Sequence, residues 1–174
     1  MPSVRIDDSF REAEMQIQTM LLRCLLAVAV ILEVPQALSC TAWSPLLGTV
    51  VNVIQGPGPS PFWAHAMIDP MTGLPTITYG PTFYQLPPLM QQFTYFHECA
   101  HLVEQTSNEF VANCRALQLM KSQGLSPAQE SAIASIHMNI GPLPPQYGGS
   151  GANFWQGTLQ ACAQGIPTPG VGSY

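Results

Sequence analysis

Two histidines and a pair of glutamates carry the first chemical signal in this chain. The run His97-Glu98-Cys99-Ala100-His101 is an H-E-x-x-H pattern. A four-residue step on a helix turns about 400°, so both imidazoles leave one face and could share a Zn²⁺, with Glu98 beside them within reach of a water held there. A hydrolytic zinc also needs a third protein ligand and one open position. Glu109 is the choice for that ligand. On a single continued helix it would lie about 12 Å along the axis from His101, far beyond ligand bonds near 2 Å. A turn at Gln105-Thr106-Ser107, with Asn108 as the next helix cap, would instead send a second helix back antiparallel and lay its first turn over His101. In Glu109-Phe110-Val111-Ala112-Asn113 the first and last residues share a face, so Asn113 could accept a hydrogen bond from a ligand imidazole and fix its tautomer.

Three other residues compete. Glu104 lies on nearly the same face as the two histidines, but three ligands on one straight helix diverge, and it reads as a solvated surface acid. His137, near the end of a third helix, reads as satisfied by that helix's C-terminal dipole. His65 alternates with Trp63 and Met67 and reads as a packed or surface strand histidine.

The elements that must position these groups fall into two halves. Residues 40–88 are rich in Pro, Gly and β-branched or aromatic residues, with short strands predicted at Leu47–Ile54, Phe62–Ile68 and Thr76–Tyr79 between Gly/Pro turns. From Pro88 the period becomes helical. Leu89 to about Glu104 carries Phe93, Phe96, Ala100 and Val103 at spacings of three and four. A second helix runs from the Asn108 cap to about Gln123, where Gly124 stops it. Ser126-Pro127-Ala128-Gln129 opens a third with a capping box, ending near Gly141. Residues 142–174 read mostly as loop, with a short helix over Asn153–Ala163.

Upstream, residues 20–39 have the order of a secretory signal peptide: Arg23, an apolar run Cys24–Leu32, Pro35 as breaker, then Ala37 and Ser39 at the cleavage positions. The apolar run is about half the ~20 residues that a spanning helix needs, so no stable membrane insertion is expected after its removal. Residues 1–19 read as an extension upstream of the true start, which the pattern places at Met15 or Met20. Ala37-Leu38-Ser39-Cys40 also loosely resembles a lipoprotein box. Removing the leader leaves Cys40, Cys99, Cys114 and Cys162, an even number in an exported chain, which predicts two disulfides in one of three connectivities. The assignment is therefore a leader at 20–39, one domain at 40–165 and a loose tail at 166–174, secreted or periplasmic.

Charge sharpens this picture. Only 9% of the 174 residues are charged and the formal net charge is −5, which argues against nucleic acid and against acidic substrates. From residue 40 onward two bases remain, Arg115 and Lys121, against five acids, and three of those acids fall within residues 98–109.

The run FHECAH, the following E-x-x-A-N-C, a helix ending at Gly124 and the later Cys162 resemble a zinc metallopeptidase family of small exported bacterial proteins with H-E-C-x-H followed by E-x-x-A-D-C. More broadly, the pattern is similar to the gluzincins, in which the glutamate of the second helix is the third ligand. The resemblance covers about residues 77–165. Asn113 stands where such proteins carry Asp, and Leu102 where many carry a further His. It implies a small α+β, zincin-like domain: short antiparallel strands, the H-E-x-x-H helix, a second helix carrying the third ligand, and a third helix. It also implies peptide-bond hydrolysis on a peptide or protein substrate, with Zn²⁺ held by His97, His101 and Glu109 and with Glu98 as general base. Thr76–Tyr79 could be the edge strand that holds the substrate; Tyr147 and His137 are candidates for the oxyanion donor, each more readily structural; and Trp63, Phe83, Tyr84 and Trp155 could shape a subsite, with core packing the default for all four. The alternative is a non-catalytic secreted protein in which zinc and disulfides staple a small fold or interaction module.

Overall fold

The computed structural model describes residues 39–60 and 62–165. The expected upstream extension, the leader up to residue 38 and the tail lie outside the described residues. The domain is α+β. Five short strands come first: β1 (Thr41–Ser44), β2 (Thr49–Asn52), β3 (Ile54–Pro57), β4 (Ala64–Ile68) and β5 (Pro75–Tyr79). Four helices follow: α1 (Pro88–Val103), α2 (Glu109–Ser122), α3 (Pro127–Met138) and α4 (Gly151–Gln164).

The stretch expected as one strand, Leu47–Ile54, divides at Val53 between two sheets. β2 pairs antiparallel with β1, which was not expected, while β3 leaves the hairpin and runs parallel to β5. Val53 is buried and gives its N–H to the Cys40 carbonyl at 2.9 Å, so the chain is pinned where it changes partners. The second sheet has the order β3-β5-β4, with β4 antiparallel to β5. Thr76–Tyr79 is therefore central and cannot be the substrate edge. The edge strand of this second sheet that packs on the motif helix is β4. β5 earns its central place by its pattern: Pro75, Ile77 and Tyr79 are buried, and Thr76 and Thr78 alternate with them.

Helix α1 is the hub, touching β1, β4 and β5 as well as α2 and α3. Pro88 starts it, and Met90, Phe93, Phe96 and Ala100 are buried along it. The stripe ends on Leu102 rather than Val103, which is exposed at the helix terminus. Asn108 caps α2 by accepting from the backbone of Phe110 and Val111, and Ser126 with Gln129 forms the capping box of α3. The C-terminal region holds more order than its glycines and prolines suggest. α4 is a full 14 residues, capped by Ser150, and buries Phe154, Trp155 and Thr158. Its first residue must be small, because a Cβ on Gly151 would stand 1.9 Å from the carbonyl oxygen of His137.

Two disulfides cross-link the domain, Cys40–Cys99 and Cys114–Cys162. The first joins the start of β1 to the motif helix and engages the thiol that lipidation of Cys40 would need. The second joins α2 to α4. Closing loops of 59 and 48 residues stabilises the fold by about 4 kcal/mol each on a chain-entropy basis. Bonds of this kind persist in oxidising compartments, and no helix of the described residues is long and apolar enough to cross a membrane. Because the α3–α4 junction has no room for a methyl group, Gly151→Ala is expected to cost about 2 kcal/mol or more in urea unfolding, whereas Gly124→Ala, where only backbone conformation is at stake, should cost less.

Candidate metal centre

The local chain path around α1 and α2 brings three side chains to one point. α1 ends at Glu104, and Gln105 then takes a positive φ of 49°, the one non-glycine among the described residues to do so. That left-handed residue reverses the chain, and Thr106 closes the turn in both directions. Its N–H reaches the His101 carbonyl at 3.2 Å, and its own carbonyl accepts from His101 Nδ1 at 2.7 Å. Glu109 thus begins α2 directly opposite the two histidines. Glu104, expected as a surface acid, instead keeps its side chain only 4% exposed and pairs with Arg115 of α2 at 2.9 Å, clasping the two helices just beyond the turn.

His97 Nε2, His101 Nε2 and Glu109 Oε2 form a triangle with sides of 3.1, 3.1 and 3.3 Å. Ligand atoms at 2.0–2.1 Å from a tetrahedral ion are about 3.3 Å apart, so the spacing suits a small cation. Their protonation decides what they can do. Thr106 and Asn113 present carbonyl oxygens to the two Nδ1 atoms, so each Nδ1 must carry a proton and each imidazole, when neutral, offers its Nε2 lone pair. For His97 the tautomer is set by a directional chain. The Thr158 hydroxyl donates to the Phe154 carbonyl at 3.0 Å and accepts from Asn113 Nδ2 at 3.1 Å, which turns Asn113 Oδ1 toward His97 Nδ1 at 2.7 Å. An amide at position 113 serves both ends of this chain, donating to Thr158 and accepting from His97. A carboxylate could not donate.

Three acceptors facing one another repel unless something positive lies between them. Glu109 Oε2 is buried and faces the two imidazole Nε2 atoms at 3.1 and 3.3 Å. Burial pushes the Glu109 carboxyl up, but hydrogen bonds from His101 and His97 and their charges outweigh it and hold it at about 2. For His101 burial acts downward, and Glu109 overcomes it to raise the imidazole above its ordinary value. An added proton on either imidazole would place a cation in the triangle, and a metal ion bound there would displace it. His97, His101 and Glu109 together could hold a metal ion.

The triangle lies where two clefts meet. One, of about 380 Å³, is walled by Phe62, Trp63, Phe93, Leu143 and Phe154 and reaches His97 and Glu98. The other, of about 440 Å³, runs along β4 past His97, Glu98, His101 and Glu109. Glu98 and Tyr147 line both. Tyr147 sits in a 3-10 turn, Pro145–Tyr147, within the loop joining α3 to α4. Its phenol is pushed up to about 12 by burial, by the Glu109 charge, by its hydrogen bond to Glu109 and by Glu98, so it stays protonated.

The remaining candidates separate clearly. His65 is exposed on β4 and lines the second cleft, outside the triangle. His137 is also outside it. Rather than resting on the dipole of α3, it donates Nδ1–H to the Ile133 carbonyl at 2.9 Å and is buried against Phe93, Phe154 and Trp155. Trp63 lines the first cleft, Phe83 stacks on Tyr79, Tyr84 is exposed, and Trp155 lies behind His137. Sequence reading missed Phe62, Phe93, Leu143 and Phe154 as cleft walls. Phe93 stands one helical turn before His97, the only one of the four whose spacing pointed there. No family model, curated protein or solved structure matches this chain.

Two outcomes follow from this geometry. In competition titrations with a chelator, Glu109→Ala should lose divalent-metal affinity by at least about 100-fold, and Asn113→Ala, which frees the His97 ring, by roughly 10- to 100-fold; undiminished binding by Glu109→Ala would exclude it as a ligand. The second concerns His137, whose pKa burial lowers from 6.5 to about 4. The unfolded chain then takes up a proton that the folded protein refuses, so this residue's contribution is complete above pH 6.5 and is lost as pH falls toward 4. Between pH 7 and 5 the wild type should lose about 2 kcal/mol more stability than His137→Phe, read by urea unfolding at each pH.

Proposed function

We propose that the protein is an exported zinc-dependent metallopeptidase that hydrolyses peptide bonds in an extended chain lying along β4. One observation carries the reading: three pinned acceptor atoms converge in a cleft that also holds an uncompensated carboxylate, Glu98. When bound, zinc would polarise the scissile carbonyl and acidify a water molecule. The chain's own groups account for the rest. Glu98 is 7% exposed, lines both clefts and has no cationic partner among the described residues. It would take a proton from the attacking water as the oxygen adds to the carbonyl carbon. As the C–N bond breaks, it would return that proton to the leaving nitrogen. Tyr147, protonated and lining both clefts, would donate to the carbonyl oxygen as negative charge develops, giving up its hydrogen bond to Glu109 to do so. His137 is not, because its only N–H is committed to Ile133.

β4 supplies the substrate's track. Its outer edge offers unpaired backbone groups along the cleft, and an extended peptide could add there as a further strand. The staple alternative fits less well. Structural zinc sites are closed by four protein ligands, whereas this group offers three and opens on two clefts.

The test is a comparison of zinc-loaded wild type and Glu98→Gln on a peptide library. Zinc affinity should agree within about threefold, while hydrolysis should fall by about 10²- to 10⁴-fold in the variant. Equal hydrolysis by both proteins would overturn the assignment of Glu98. Zinc binding with no hydrolysis by the wild type would return the site to a structural role.

A further inference from the structure

The 380 Å³ cavity beside His97 and Glu98 is walled mainly by apolar side chains, and His137 also lies in its lining. That residue is only 2% exposed. Its Nδ1–H is spent on the Ile133 carbonyl at 2.9 Å, so the ring is neutral and Nε2, on the opposite edge, is a bare acceptor. No donor among the described residues meets it. Protonation does not relieve it either, since burial and the charge of His97 depress its pKa to about 4 against a single hydrogen bond that raises it. The imidazole lines a cavity large enough for an aromatic side chain, with Phe93 and Phe154 packed around it, so a donor that enters this space is the partner available to Nε2.

We propose that this cavity is a specificity pocket for an aromatic substrate side chain that ends in a hydrogen-bond donor, tyrosine above all, with His137 Nε2 accepting from the phenolic hydroxyl. The term substrate rests on the peptidase reading, whereas the chemistry of the pocket does not. Phenylalanine would fill the same walls and leave Nε2 unpaired. A site built around such a bond rejects the analogue that lacks it more strongly than a purely apolar pocket can. The loop Gly141–Ser150 contributes Leu143 and Tyr147 to the rim, so a side chain seated here would hang from a backbone passing Glu98.

The test uses the full chain and three small probes of one shape: p-cresol, toluene and 4-methylanisole, which keeps the oxygen but lacks the donor. Binding is followed by tryptophan fluorescence, since Trp63 lines the cavity. p-Cresol should bind about tenfold more tightly than the other two, as one neutral hydrogen bond implies. In His137→Phe that ratio should fall to about one. Equal binding of all three by the wild type, or a ratio that survives in His137→Phe, overturns the proposal. Should the variant not fold, the ¹⁵N resonance of His137 Nε2 in the wild type decides: it should shift with p-cresol and not with toluene, and no shift overturns the assignment. With peptides, kcat/KM should favour tyrosine over phenylalanine by about tenfold. A p-cresol preference without hydrolysis of any peptide would sink the peptidase reading and leave the pocket standing. Hydrolysis that favours phenylalanine would do the reverse.

Discussion

Mutual repulsion among three buried acceptors is the constraint around which this fold is arranged. His97 Nε2, His101 Nε2 and Glu109 Oε2 approach to 3.1–3.3 Å, and nothing in the chain supplies a donor between them except an added proton on a histidine. Such an arrangement relaxes unless the backbone prevents it. The positive φ of Gln105 is part of that restraint, since it aims the Thr106 carbonyl at His101 and brings Glu109 to the histidines within a three-residue turn. Backbone strain of this sort persists where surrounding structure fixes it, and here the Glu104–Arg115 pair and the helix cap at Asn108 do so from either side.

The same restraint runs outward through hydrogen-bond polarity. Phe154 O, the Thr158 hydroxyl, the Asn113 amide and His97 Nδ1 form one directional chain across α4, α2 and α1. Each member has one arrangement that satisfies both neighbours, so the tautomer of a ligand histidine is determined two helices away. Phe154 is also a wall of the apolar cavity. The Cys114–Cys162 disulfide crosses the same α2–α4 interface and holds the chain of donors in register. Orientation of the candidate ligands and the shape of the neighbouring pocket thus share one support.

What could be read from the sequence follows from the range of the interactions involved. The H-E-x-x-H spacing, the Asn108 and Ser126 caps and the turn after Glu104 are set by residues within a few positions of one another, and α1, α2 and α3 lie within a residue or three of the expected bounds. Long-range pairing was another matter. Nothing local marks Val53 as the point where one apolar run divides between two sheets, or tells that β5 is central and β4 the edge. Glu104 looks like a surface acid until Arg115 is known to return beside it. α4 is longer than its glycine content suggests, because Gly151 is required by a close approach of two helices and lies at the start of the element. His137 shows the limit most clearly, since its meaning depends on which nitrogen the backbone of its own helix consumes.

Charge scarcity, finally, acquires a structural meaning. The described residues contain two cationic side chains of the permanently charged kind, Arg115 and Lys121, and both are spoken for, by Glu104 at 2.9 Å and Glu130 at 2.7 Å. Asp69 is occupied in its own turn, accepting from the backbone of Met71 and Thr72. That leaves Glu98 and Glu109, two carboxylates in one cleft, with no lysine or arginine to neutralise either. A domain could tolerate one such group by exposing it, but Glu98 is 7% exposed and Glu109 is held in the triangle. Burying a carboxylate without a partner is costly enough that a site with two of them calls for a cation from outside the chain. The sparse charge therefore does more than exclude polyanionic partners: by withholding internal counterions it keeps the negative potential of the cleft available to a metal ion.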